Sequence, residues 1–186
     1  MGKTFGERIL EGKVAYVAGG TRGFNLAIAK RYAEHGAKVT VMSRNEDRCG
    51  KAAQEIKELG GEALGLAADA RDYDRIHETM QETVNTFGKL DIVVAAQAGN
   101  FYAPAIGMSS NAYQSVVDID LMGTFNVFRA SWEFLNRPGA SLLAITAPDA
   151  RRRPERSNHS GSSIERLSAQ MDHSMALFSE EQDDLT

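Results

Sequence analysis

VAYVAGGTRGFNLAIAKRYAEHGAKVTVMSRN, residues 14–45, is the stretch on which the reading of the fold turns. Its first five residues, Val14 to Ala18, form an unbroken apolar run, the pattern of a strand buried on both faces. Gly19-Gly20-Thr21-Arg22-Gly23 follows at once, a turn whose backbone can approach a ligand closely. Leu26, Ile28, Ala29, Tyr32 and Ala33 then recur at helical spacing, and Gly36 supplies the stop. A second apolar run, Lys38 to Met42, completes a βαβ crossover of about thirty residues. Glycines between a buried strand and a helix N-terminus suit a dinucleotide pyrophosphate, because the first-turn N–H groups are unpaired and carry a partial positive charge.

Outward from this unit the alternation continues. Asn45 is placed to cap a helix carrying Ala52, Ile56 and Leu59 on one face and ending at Gly60-Gly61. Ala63 to Ala68 reads as a third strand ending at Asp69. Asp72 opens a helix with Ile76, Met80, Val84 and Phe87 as its buried stripe, and Gly88 stops it. Leu90 to Ala96 is the fourth strand, followed by the loop QAGNFYAPAIG. Ser110 is the expected cap of one long helix running to Leu135, and Ser141 to Thr146 is the fifth strand. The expected fold is α/β, a doubly wound parallel sheet of the Rossmann type, incomplete, with strand order 3-2-1-4-5. Residues 1–147 are expected to form the dinucleotide-binding domain. Residues 148–186 are rich in Ser, Arg and acids, and are expected to be an atypical, poorly ordered tail.

Bulk composition narrows the partners. The chain has 186 residues, 42% apolar and 25% charged, with net charge −4, which suits one globular domain and argues against nucleic acid or an anionic membrane surface. No apolar run is long enough to span a membrane. A single cysteine, Cys49, fits a reducing compartment. The first residues lack the apolar stretch of a signal peptide, and Gly6 stands where a myristoylation signal wants Ser or Thr, so a cytoplasmic location is expected. His159 and His173 have no acidic or cysteine partners at ligand spacing, and no metal is expected.

Five landmarks in order resemble the short-chain dehydrogenase/reductase family. Its first motif, Thr-Gly-x-x-x-Gly-x-Gly, reads Ala18-Gly19-Gly20-Thr21-Arg22-Gly23-Phe24-Asn25, with Ala18 for the threonine and Asn25 for the third glycine. Asp69, followed by Ala70, matches the family aspartate that hydrogen-bonds the adenine. LDIVVAAQAG, Leu90 to Gly99, matches the Asn-Asn-Ala-Gly region, with Ala95 and Ala96 in place of the asparagines. AGNFYAP and NAYQSVVDIDLMGTFNV are similar to the 2,4-dienoyl-CoA reductase branch, its peroxisomal type above all. In most of the family the position of Asp120 is an asparagine that helps to hold a proton-relay water, and Ala147 stands at the place of the common catalytic serine.

The resemblance implies cofactor binding by Gly19, Thr21, Arg22, Gly23, Phe24, Asn25, Ser43, Arg44, Asp69, Ala70, Ala96, Gln97 and Gly99, and a catalytic role for Asp120, for which the alternative is a polar residue at a helix bend. A carboxylate at the end of the second strand would bind the ribose hydroxyls of NAD; here Ser43-Arg44 stands there instead, which favours NADP(H). The alternative for Arg22 and Arg44 is two ordinary surface arginines. Tyr102 is read either as an acid beside the nicotinamide or as a pocket-lining aromatic. The family reaction implied is hydride transfer to a carbonyl or conjugated enoyl(-CoA) small molecule. It also implies a Tyr-x-x-x-Lys pair after the fifth strand, and here the last tyrosine is Tyr113 and the last lysine Lys89. The rival expectation is therefore an inactive NADP(H)-binding or interaction module, or a non-functional truncated fragment. Unless the tail covers them, Leu142, Leu143 and Ile145 on the fifth strand and the apolar face of the long helix are expected to lead to self-association, as a homo-oligomer, or to low stability.

Overall fold

The structure, a computed structural model, describes residues 8–99 and 107–146. The expected tail, with His159 and His173, lies outside the described residues, as do Tyr102 and Ala147. The elements run β1 (Val14–Ala18), α1 (Gly23–Glu34), β2 (Lys38–Ser43), α2 (Glu46–Glu58), β3 (Ala63–Ala67), α3 (Tyr73–Phe87) and β4 (Ile92–Ala95). Then come α4 (Ser110–Val116), a π-helical stretch (Val117–Met122), α5 (Gly123–Ser131), a 3-10 turn (Trp132–Phe134) and β5 (Ser141–Ala144). They fall into two compact units. The first holds the residues up to Ala98 together with Met122–Ile145, and the second holds Gly99 to Leu121 with Thr146.

In the first unit the five strands form one parallel sheet in the order β3-β2-β1-β4-β5, as the βαβ alternation predicts. Every residue of β1 is buried, and the strand splits by parity between two cores. Ala15 and Val17 pack with Ala29, Ala33, Val41, Ala52 and Ile56 on one face. Val14, Tyr16 and Ala18 pack with Met42, Ile76, Met80, Val93 and Val127 on the other. Beneath the sheet, Asp91 accepts side-chain hydrogen bonds from Val14 N–H (2.9 Å), Lys13 Nζ (2.9 Å) and Asn136 Nδ2 (3.0 Å), and its carbonyl accepts from Ser141 N–H (2.8 Å), tying together the starts of β1, β4 and β5.

Two of the predicted caps are in place. Asn45 Oδ1 accepts from Arg48 N–H at 2.9 Å, and Asp72 Oδ1 accepts from Arg75 N–H at 3.0 Å. Two features differ from expectation. Ser109, not Ser110, caps α4: its backbone is extended and its hydroxyl accepts from Ala112 N–H at 3.2 Å. The expected continuous helix to Leu135 is broken by the π-helical stretch, which carries Asp118 and Asp120. Asp120 is buried and spends an oxygen on a backbone N–H outside the helix. Alternating polarity along VDIDLM hides such a register change from any regular helical periodicity. Among the described residues no helix is long and apolar enough to cross a membrane, and no cluster of His, Cys, Asp and Glu is placed to hold a metal ion.

Candidate functional site

In a parallel sheet all strand C-termini share one edge, where ligands of α/β folds bind. That edge gathers the β1–α1 turn, Ser43-Arg44 after β2, Asp69-Ala70 after β3 and Ala96-Gln97 after β4. The candidate site is built there from the glycines upward. Gly19 has φ +77°, and a Cβ on it would lie 2.7 Å from the Ala96 carbonyl oxygen and 2.8 Å from Gln97 Cα. Only glycine lets the turn press against the end of β4. Gly23 has φ +57° with nothing within 4 Å of where its Cβ would be, so it leaves open space at the start of α1. α1 has no side-chain cap and no acid in its first turn, whereas α2, α3 and α4 are capped by Asn45, Asp72 and Ser109. Its first N–H groups are therefore left for an anion.

Asn25 turns inward from α1. Its Nδ2 donates to Ala96 O at 2.7 Å and to Gly19 O at 3.2 Å. Phe24 beside it is 89% exposed, and Arg22 is exposed too. Ser43 Oγ lies 3.2 Å from Cys49 Sγ and 3.4 Å from Asn45 N, so this hydroxyl is committed to the start of α2. Arg44 is exposed, and its charge is felt at Asp69. The Asp69 carboxylate is gripped in bidentate fashion by Arg71, with Nε to Oδ1 at 3.0 Å and Nη2 to Oδ2 at 2.6 Å, and it also accepts Arg71 N–H. That guanidinium, aided by Arg44, holds the carboxyl below its ordinary range.

Thr124, Asn126 and Arg71 at this edge escaped the sequence reading. Gln97 Nε2 donates to Thr124 Oγ1 at 3.0 Å, while Gln97 Oε1 is buried with no partner among the described residues. Asn126 Nδ2 donates to the Ala70 carbonyl at 3.0 Å, fixing the loop after β3. Arg71 occupies the aspartate expected to face adenine. Thr124 and Asn126 lie in the GTFN run already singled out by resemblance. That was the available signal, but it does not say what either side chain would touch.

Within the second unit, Gly99 N–H donates to Asp120 Oδ1 at 2.8 Å. A Cβ on Gly99 would meet Ile119 Cδ1 at 2.4 Å, so this approach also needs glycine. Asp120 is 6% exposed. Burial pushes its carboxyl above the ordinary 3.8, against the opposing pull of the Gly99 N–H. The chemistry available to it is that of a buried acid whose proton is held more tightly than usual.

The family model for short chain dehydrogenase matches residues 13–162. The chain is 34% identical over 156 residues to the peroxisomal 2,4-dienoyl-CoA reductase of Arabidopsis thaliana, covering 79% of this chain and 52% of that protein. It is 34% identical over 167 residues to the enzyme of the same name from Rattus norvegicus, covering 89% of this chain and 57% of that one. The chain thus spans about half the length of these curated relatives. A solved dehydrogenase/reductase from Sinorhizobium meliloti 1021 superposes with TM-score 0.81 at 30% identity, covering 88% of this chain and 66% of that one.

Proposed function

The chain belongs to the short-chain dehydrogenase family, and on that premise we propose that it binds NADP(H) at the β1–α1 turn and serves hydride transfer to a carbonyl or conjugated enoyl-CoA substrate. The observation that carries this reading is the turn itself. Gly19 is packed on β4, Gly23 opens space at φ +57°, and the first turn of α1 offers N–H groups that no side chain caps. A pyrophosphate fits that cradle. The same edge holds no acid at the end of β2, where Arg44 offers a cation to a 2′-phosphate. Asp69 is already paired by Arg71, so the carboxylate nearest the adenosine end adds little repulsion.

Bound there, NADPH would supply the hydride. The turn's own contribution is to hold and orient the cofactor. Within the second unit, Gly99 N–H fixes one oxygen of Asp120 and burial favours its protonated form, so Asp120 is our candidate proton-handling group. The acyl-CoA class comes from the names of the two reductases above. A small-molecule substrate, a second copy of the chain as partner and a cytoplasmic location belong to the same reading. The rival reading is an NADP(H)-binding module without turnover. NADPH binding without oxidation of any enoyl-CoA or ketone would favour it.

Thermal melts with NADPH and with NADH test the cofactor. A ligand bound only by the folded state, at a hundredfold excess over its Kd, adds about 2.7 kcal/mol of stability. We expect a larger rise in Tm with NADPH than with NADH, and the difference should vanish in Arg44→Ala. Equal shifts would reject the role of Arg44, and no shift with either would reject the site. Oxidation of NADPH by a dienoyl-CoA separates the reductase from the module.

A further inference from the structure

Asn25 lies three residues into α1 and is half-buried, and both hydrogens of its carboxamide are spent on main-chain carbonyls. Those carbonyls belong to Gly19 and Ala96, the first residues past the point where the β1–β4 ladder stops. The last pairing of that ladder is Ala18 with Ala95, closed by Ala96 N–H to Ala18 O at 3.0 Å. Beyond it the chains diverge, the one into the glycine turn and the other toward Gln97. The Gly19 and Ala96 oxygens are bridged there by one side chain from a third element.

Because the peptide unit is planar, fixing a carbonyl also fixes the direction of the N–H on its far side. Asn25 therefore sets two peptide planes at once: Gly19–Gly20, at the entry to the turn, and Ala96–Gln97, at the end of β4. The close approach of these two planes is the one that a Cβ on Gly19 would block. We propose that Asn25 is a positioning residue that holds the β1–α1 turn closed on the end of β4 and so sets the shape of the pyrophosphate cradle without touching the cofactor. This rests on the cofactor reading above. The same position is filled by glycine in the motif that the turn resembles, and a glycine has no side chain to make either bond. The arrangement is thus a property of this chain.

The test uses the whole chain and two ligands, NADPH and adenosine 2′-monophosphate, the second of which carries the adenosine end but no pyrophosphate. Asn25→Ala keeps helix propensity and removes both bonds. It should weaken NADPH about tenfold, the worth of one to two hydrogen bonds, while adenosine 2′-monophosphate binds as before. Asn25→Asp has nearly the same shape but can only accept, so it would face two carbonyl oxygens with a third acceptor. It should lose more NADPH affinity and more Tm than Asn25→Ala. Hydrogen exchange should quicken at Gly20 and Gln97 in both variants while the core amides of β1 stay protected. NADPH affinity within twofold of wild type in Asn25→Ala, or an equal loss for both ligands, overturns the positioning role. A wild-type chain that binds neither ligand overturns the cofactor reading first and the positioning role with it.

Discussion

Gly19 and Gly23 belong to one turn, yet each is glycine for a different reason. Gly19 combines φ +77° with backbone atoms of Ala96 and Gln97 within 2.8 Å of any Cβ, so a larger residue must push main chain aside. Gly23 has φ +57° and empty space around it. Gly19→Ala is therefore expected to destabilise the fold by well over about 1 kcal/mol, since conformational strain and a backbone clash add. Gly23→Ala should cost only about 1 kcal/mol of left-handed strain, but it places a methyl group where the phosphates would rest. Urea unfolding with and without NADPH separates the two. Gly19→Ala should lower the midpoint in both series, and Gly23→Ala should mainly lose the increment that NADPH adds. If Gly23→Ala keeps the full increment, the cradle has been put in the wrong place.

At the scale of an element, the π-helical stretch Val117–Met122 sets the chemistry of Asp120. Burial raises the carboxyl above 3.8, so the fold favours the protonated acid. Its contribution to stability is complete below 3.8 and is lost as pH rises through the raised value. Asp120→Asn carries no charge at any pH, and its carbonyl can still accept from Gly99 N–H. The variant should be more stable than wild type at about pH 7, and its advantage should shrink as the pH approaches about 4. Urea midpoints across that range check it, and a difference independent of pH would show that Asp120 is not the titrating source. Asp91 runs the other way: burial pushes it up, but the donors from Asn136, Val14 and Lys13 outweigh that and lower it. Its support for the sheet is present above 3.8 and lost as pH falls through the lowered value, so the two carboxylates oppose each other in acid.

Across the whole molecule the sheet of the first unit closes one edge poorly. β5 is largely exposed, with Leu143 40% accessible and Ile145 just after it 49%; Met122, which ends the π-helical stretch, and Phe125 on α5 are each 46% accessible. Among the described residues β5 has a strand on one side only, and a parallel strand so placed invites pairing with a second chain. Sedimentation velocity should show association rising with protein concentration, reduced by Ile145→Lys. Concentration-independent monomer would remove the second copy from the proposed partners.

Much of this was legible in the residues. Val14–Ala18, the glycine turn, the caps Asn45 and Asp72, and the alternation of strand and helix are local signals; each depends on side chains a few positions apart, so periodicity and turn chemistry reveal them. The sheet order followed as well, because right-handed crossovers leave few ways to stack βαβ units. Only the tertiary structure decided what depends on residues far apart in sequence. Asn25 meets Ala96 across 71 positions, Asn126 meets Ala70 across 56, and Tyr16 finds a buried partner in Thr79 across 63. Ser109 displaced Ser110 as cap because two adjacent serines are alike in composition and differ only in backbone angle. The sequence thus determined that this chain folds as a dinucleotide-type α/β sheet. Packing alone determined which carbonyls hold the glycine turn and how firmly Asp120 keeps its proton, since both follow from distances and burial that no local pattern encodes.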